Sequence, residues 1–593
     1  MDTKEMVWDL TQLIENTDPT SIKANLDSMV EEAEKLREKY HGKIRDLDAK
    51  ALLKLLETRD DHSLRFEGVN MYCRLMYSAD STDDTAKQLN DAVRRASMRT
   101  GQALAFMGIE LARLLSEKPS LVKDPALAEY RHYLERVLRR APHMLTEPEE
   151  RLTLVKDMNG ISAWQMLQEE WLSTRTYTIE IKGEKKTLPY GEIIGLYQSP
   201  DRNLRKQANK MVYENLGKDH LIWASALRAV CADHLQMCKL RKHPTPMTSS
   251  LIANDVDQET ISSLMKTVEK NIHLYQRYLR LKAKLLGLKK LASYDLAAPL
   301  PKASTTEYTW SESRREVVDA YRKFNEEMGR WVDEMFEKRH VDGAVRNGKS
   351  SGAFCSAWLV GKSAYVMESF NGTIGDLYTH AHELGHAVHA YLGSRAQKPS
   401  NYEISSCIAE TGSIFGELIL TEHLLSKAKT VEEKQMILAN MLDEFGIAAF
   451  QVSARVFFEQ NIYEAIEKGE FLDGENLAKM WTATRDRIYG NSVDWQEEMK
   501  WEWTMKPHYY IPNYRFYNYP YVFAQLFVFV LYKLYKEQVS KFIPKLKRLL
   551  AAGSSKSPRE LGAELGFDTS TEEFWQKGMD QAEEFINILE ETL

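Results

Sequence analysis

Two histidines one helical turn apart, with a glutamate between them in sequence, stand at His382-Glu383-Leu384-Gly385-His386. On a helix, positions i and i+4 share a face, so both imidazoles can turn a nitrogen toward one ion. Glu383 projects to the side of that pair, where it can hold and deprotonate water rather than bind the ion. This is a zinc-hydrolase arrangement, and it needs a third protein ligand and an open position. The next candidates are Glu410 and Glu417, seven residues apart in a second predicted helix over 405–417, and therefore on one face. Glu403 joins them if that helix starts early enough. Spacing leaves open which carboxylate binds the ion and which orients a ligating histidine through its second ring nitrogen.

The elements that must position these groups are also legible. Thr373 and Asp376 form a helix-start signal, and Leu377, Ala381, Leu384, Val388 and Leu392 follow as an apolar stripe, with Gly393 as the expected stop. His380 and His389 lie in the same segment, and His389 shares the face of His382. The extended three-histidine pattern requires a glycine and then a histidine where this chain has His389 and Leu392, so that pattern is rejected. Both extra histidines read as packed or hydrogen-bonded. Immediately before this helix, residues 354–360 and 364–370 flank Gly361-Lys362 and read as paired strands. A strand edge beside a metal can take up an extended peptide through main-chain hydrogen bonds.

The segments HAHELGHAVH (380–389), ETGSIFGE (410–417) and HYYIPNYRFYNYPY (508–521) together resemble the oligoendopeptidase F branch of the thimet oligopeptidase family of zinc peptidases. The resemblance extends to Trp8-Asp9-Leu10, Tyr190-Gly191-Glu192, Ser199-Pro200-Asp201, Ser293-Tyr294-Asp295-Leu296 and Gly352-Ala353-Phe354-Cys355, so it covers most of the chain. It implies a mainly α, zincin-type peptidase with small β-hairpins and helical subdomains enclosing a substrate channel. It implies one Zn2+ per chain, held by His382, His386 and Glu410, with Ser413 completing the E-x-x-S match and Glu417 and Asp376 as groups behind the ligands. Glu383 is then the general base. His508 and Tyr519, with Tyr514 or else Tyr517, are the implied donors to the oxyanion of the tetrahedral intermediate. The implied activity is hydrolysis of internal bonds of short oligopeptides.

Composition agrees with a large soluble enzyme. The chain has 593 residues, of which 43% are hydrophobic and 28% charged, and a net charge of -7 that offers no footprint for nucleic acid. Five scattered cysteines without a C-x-x-C pair, and an acidic start without an apolar run, point to a reducing, cytoplasmic setting. The longest apolar run, 521–532, falls short of the roughly 20 residues a membrane span requires, so no membrane partner is expected. Helical periodicity dominates: Asp18-Pro19 opens a segment with Ile22, Leu26, Met29, Val30, Ala33, Leu36 and Tyr40 on one face, ending at Gly42. Period-two alternation at 177–183 predicts a hairpin and suggests a border, giving a helical part over 1–195 and a catalytic part over 196–593. Two other functions compete: a zinc carboxypeptidase, for which Arg515 is the available cation, and a non-catalytic peptide-binding scaffold, which the intact Glu383 disfavours.

Overall fold

The Asp18-Pro19 signal produces the expected helix, Pro19–Tyr40: the Asp18 carboxylate accepts from Ser21 N at 3.1 Å, and all seven residues of the predicted stripe are buried. Gly42, with φ +76°, turns the chain beyond its end. The same logic repeats along the chain. In this computed structural model, which describes residues 3–300 and 307–593, 73% of the described residues are helical. Among the described residues, no helix is long and apolar enough to cross a membrane.

The strands, in chain order, are β1 (Thr176–Ile181), β2 (Glu184–Pro189), β3 (Leu291–Ala292), β4 (Val341–Asp342), β5 (Phe354–Trp358), β6 (Ser363–Met367) and β7 (Val493–Asp494). The predicted hairpin is β1–β2, antiparallel from Thr176↔Pro189 to Ile181↔Glu184. Lys182 and Gly183 make its two-residue turn with φ of 53° and 84°, the left-handed pair that matches strand twist. The second predicted hairpin is β5–β6, and β4 joins it in parallel on the far side of β6, leaving β5 terminal in the order β4-β6-β5. Leu359 N and Val360 N, in its loop, both donate to the Glu67 carboxylate at 2.8 Å.

The chain forms two units. One is Met1–Pro142, Thr306–Lys427 and Leu534–Phe567; the other is His143–Thr305, Ala428–Lys533 and Asp568–Leu593. This differs from the contiguous split expected at 195/196: the β1–β2 hairpin lies inside the second unit, and each unit is assembled from stretches far apart in sequence. A hairpin signals a local change of period, whereas a unit border depends on which distant faces bury one another. The first unit illustrates this, because Trp8, Leu10, Ile22, Leu26, Phe66 and Val93 share a core with Tyr365 and Met367 of β6. Tyr365 also donates its hydroxyl hydrogen to Asp9 O at 3.0 Å.

Candidate active site

The helix Ile374–Ala396 carries both motif histidines. Thr373 caps it in a reciprocal box: Asp376 N donates to Thr373 Oγ1 at 3.1 Å, and the Asp376 carboxylate accepts from Thr373 N at 2.9 Å and Asn371 N at 3.0 Å. Asp376 is therefore a helix cap and not a group behind a metal ligand, because its position three residues into the helix aims it back at the first turn. Leu377, Ala381, Leu384 and Val388 are buried as the stripe predicts. Gly393 does not end the helix. A Cβ there would lie 3.1 Å from the Tyr402 ring, so the missing side chain admits a close neighbour.

Glu410 sits at a break and not within one helix over 405–417. A short turn, Ser406–Ala409, ends at Glu410, and the helix Thr411–Lys427 starts after it. This second helix packs on the first at glycines: a Cβ on Gly385 would stand 2.3 Å from Gly412 O, and one on Gly412 would stand 2.4 Å from Gly385 O. Gly416 likewise makes room for Tyr321, whose hydroxyl donates to Ala381 O at 3.0 Å. The resulting crossing brings the carboxylates to the histidines.

Glu410 Oε2 lies 3.3 Å from Nε2 of His382 and 3.3 Å from Nε2 of His386. These donors all lie within 4.8 Å of one another. Four tetrahedral donors at roughly 2.0–2.1 Å from zinc stand about 3.3–3.4 Å apart, and two imidazoles with one carboxylate are a familiar zinc set, so the residues fit the ion. Behind them, His382 Nδ1–H donates to Glu417 Oε1 at 2.6 Å, which leaves the Nε2 lone pair facing the other donors. Burial alone would make His382 a weaker base, but Glu410 and Glu417 outweigh it and raise its affinity for a positive charge. Burial likewise opposes ionisation of Glu410, yet the two histidines hold it well below the usual carboxylate range. Ser413 Oγ donates to Glu410 Oε2 at 2.7 Å, which accounts for the serine of the E-x-x-S match. Glu383 is buried, its Oε2 has no hydrogen-bond partner, and burial raises its carboxyl above the ordinary value.

His380 and His389 take no part in this triangle. His380 is fully buried against Trp310, Phe336 and Phe370, with Ser313 Oγ at 2.6 Å from its Nδ1 and Glu368 at 3.0 Å from its Nε2. His389 is packed but not hydrogen-bonded, and burial, reinforced by His386, pushes it down to about 3, so it stays neutral. Glu403 is exposed and ends the turn Pro399–Tyr402. Strands β5 and β6 pack on the helix of the histidines. Cys355, on β5, is close enough to Glu383 for that carboxylate to add to the effect of burial in keeping its thiol protonated.

The segment 508–521 belongs to the second unit. His508 is half-buried, with Nδ1 unpartnered and Nε2 3.5 Å from the Tyr521 hydroxyl. Burial, followed by the charges of Arg455, Lys506 and Arg515, lowers it to about 4, so the imidazole is neutral near pH 7. Tyr517 stacks on Tyr514, with centroids 4.3 Å apart, and on His508 at 5.6 Å. Tyr514 is 42% exposed. Tyr519 is fully buried, and its hydroxyl accepts from Ser250 Oγ and Asn254 Nδ2, each at 3.2 Å.

Peptidase family M3 is matched over residues 196–581, and Oligopeptidase F over residues 117–177. The chain belongs to peptidase family M3. This M3 peptidase is an enzyme of the metalloprotease kind. It is 27% identical over 563 residues to Oligopeptidase PepF of Bacillus subtilis, covering 94% of this chain and 83% of that protein. It is 26% identical over 602 residues to an Oligoendopeptidase F homolog of Lactococcus lactis, covering 100% and 98%. Its fold matches a Chlamydophila abortus crystal structure with a TM-score of 0.87 and 23% identity, over 100% of this chain and 99% of that one. It also matches oligoendopeptidase-F from Enterococcus faecium with a TM-score of 0.71 and 23% identity, over 97% and 99%.

Sequence reasoning did not single out Gly385, Gly412, Gly416 or Tyr321, although they set the helix crossing of this M3 peptidase. A signal was present in Gly412 and Gly416, one turn apart, whose spacing marks a helix face open to close approach.

Proposed function

We propose that this M3 peptidase is a zinc-dependent endopeptidase that hydrolyses internal bonds of short oligopeptides. The observation that carries this reading is the donor triangle of His382, His386 and Glu410, with the buried, unpartnered Glu383 carboxyl close enough to feel the charge of all three. Bound there, one zinc ion per chain supplies a Lewis acid that makes water nucleophilic near neutral pH and polarises a peptide carbonyl. His382 and His386 would hold the ion through Nε2 and Glu410 through Oε2, while Glu417 keeps the His382 proton on Nδ1.

Glu383 takes one proton from the attacking water as its oxygen bonds to the carbonyl carbon. It gives that proton to the leaving amine as the C–N bond breaks, which restores the carboxylate. A carboxyl raised by burial suits this task, because it must keep the proton between the two steps. His508, neutral, donates a ring N–H to the developing oxyanion without ionising, and Tyr514, a partly exposed residue, adds a hydroxyl. The same role for Tyr519 requires substrate to reach a fully buried hydroxyl, whose oxygen accepts from Ser250 and Asn254 through its lone pairs. β5, terminal in its sheet, offers main-chain groups to an extended peptide.

The names of the relatives, oligopeptidase and oligoendopeptidase, support oligopeptide substrates. Against a carboxypeptidase, Arg515 is 3% exposed and its N–H groups donate to backbone carbonyls, so it does not offer itself to a free carboxylate. The cysteines are all free, which supports a cytoplasmic setting. The test is a peptide blocked at both ends: internal cleavage that a chelator abolishes and zinc restores is expected. In that assay Glu383→Gln should retain zinc and lose roughly 10²–10⁴ in kcat. Release of single residues from free C-termini alone would establish the carboxypeptidase instead, and full turnover by zinc-loaded Glu383→Gln would remove Glu383 from the mechanism.

A further inference from the structure

His508 lies in the single turn Pro507–Tyr509, and from there to the helix Tyr519–Gln538 the chain that carries Tyr514 has no regular secondary structure. Such a segment cannot satisfy its own carbonyls in a ladder, so its shape depends on groups brought from elsewhere. Arg515 brings them. Its Nη1 donates to Tyr509 O at 2.9 Å, and its Nη2 donates to Ile511 O at 2.8 Å and to His508 O. A planar guanidinium binds these carbonyls in a fixed mutual arrangement, which a lysine ammonium cannot reproduce.

The guanidinium is anchored by one face of the helix Val452–Glu467. Arg455, Glu459 and Tyr463 lie on successive turns of that face. Arg455 O accepts the Tyr509 hydroxyl hydrogen at 3.2 Å. Glu459, 1% exposed, accepts from Phe516 N at 2.9 Å and stands 3.9 Å from Arg515 Nη1. Tyr463 stacks on the Phe516 ring, with centroids 5.2 Å apart and planes at 24°. Phe516 has φ +54°, a left-handed conformation that a bulky residue keeps only where its surroundings hold it. Backbone and ring of Phe516 are thus gripped one turn apart, directly after Arg515.

We propose that Arg515, paired with Glu459, is a positioning residue that sets the 508–516 backbone so that the His508 ring and the Tyr514 hydroxyl are presented to substrate. This deepens the proposed function and rests on the role given there to His508. A buried ion pair kept only for stability can often be replaced by neutral groups with little loss, whereas a pair that places a chemical group cannot.

The experiment uses the full-length, zinc-loaded enzyme with the double substitution Glu459→Gln/Arg515→Met, which removes both charges together and strands neither. It also uses Arg515→Lys and His508→Ala, with kcat and KM on a blocked peptide, zinc content, melting temperature, and the His508 ring signal by NMR, assigned through His508→Asn. The double variant is expected to stay folded and zinc-loaded, to lose about 10²-fold in kcat with KM nearly unchanged, and to shift the His508 signal and its titration. Adding His508→Ala to it should cause little further loss, and Arg515→Lys should not rescue. A double variant with kcat within twofold of wild type, beside an inactive His508→Ala, overturns the proposal, as does full rescue by lysine. If His508→Ala itself keeps full kcat, the role of His508 falls. The NMR arm then judges positioning alone: an unmoved His508 signal overturns it, and a moved one upholds it.

Discussion

Glu410 and Glu417 are the same side chain seven residues apart, and their surroundings differ. Glu410 meets both Nε2 atoms, while Glu417 meets only Nδ1 of His382. Glu410→Ala should therefore lose zinc on dialysis, whereas Glu417→Ala should weaken metal affinity or activity by about 10–100-fold and Glu403→Ala should change neither. Equal zinc in wild type and Glu410→Ala, measured by metal analysis, would contradict the assignment. The two tyrosines divide in a comparable way. Tyr514→Phe should lower kcat by about 10²–10³ with the fold intact. Tyr519→Phe removes the acceptor of Ser250 and Asn254, so it should also reduce stability by about 1 kcal/mol in a denaturant titration. Full kcat in both variants would move the oxyanion donor elsewhere.

Among the elements, the crossing of Ile374–Ala396 with Thr411–Lys427 decides whether the site exists. Neither helix carries a complete ligand set, and the glycine contacts set their separation to within a methyl group. In Gly412→Ala the new Cβ meets Gly385 O at 2.4 Å and the His389 Cβ at 3.1 Å, so the helices must part. Overpacking of this kind costs about 1–3 kcal/mol, and zinc retention should fall with it. Gly101→Ala is the control, since a Cβ there meets nothing within 4 Å and the helix gains propensity. Unfolding midpoints and zinc content of the two variants give the comparison, and an unchanged Gly412→Ala would show that the glycines are not required.

For the whole molecule, buried neutral histidines make stability depend on pH. Burial pushes His340 down to about 4 and His389 to about 3, and His234, His243 and His508 each to about 4. Their native pKa values lie below the unfolded value near 6.5, so between about pH 6.5 and 4 the unfolded chain binds more protons than the native one. Their contribution is complete above that window and is lost as pH falls through it. His340 and His389, both almost wholly buried, should each account for up to roughly 1.4 kcal/mol per pH unit there. Thermal unfolding followed from pH 7.5 to 4.5 should show the loss, and His340→Gln should flatten it. A melting temperature constant across this range would refute the reading.

The zinc-type motif, the capped helix beneath it, both hairpins and the helical class were legible in the sequence because each is a local pattern. Period 3.6, period two, an N-cap box and a turn dipeptide act within a few residues of one another, and the fold keeps them. What depends on approach through space was not legible. Spacing placed Glu410 and Glu417 alike, and only the helix crossing sets Glu410 against both Nε2 atoms and Glu417 against Nδ1 of His382 alone. Gly393 reads as a stop, yet it is a packing contact with Tyr402. Arg515 reads as an available cation, yet it is enclosed by carbonyls. The division into units also belongs to the tertiary structure, because the core that joins Trp8 to Met367 forms only when distant apolar faces leave water together.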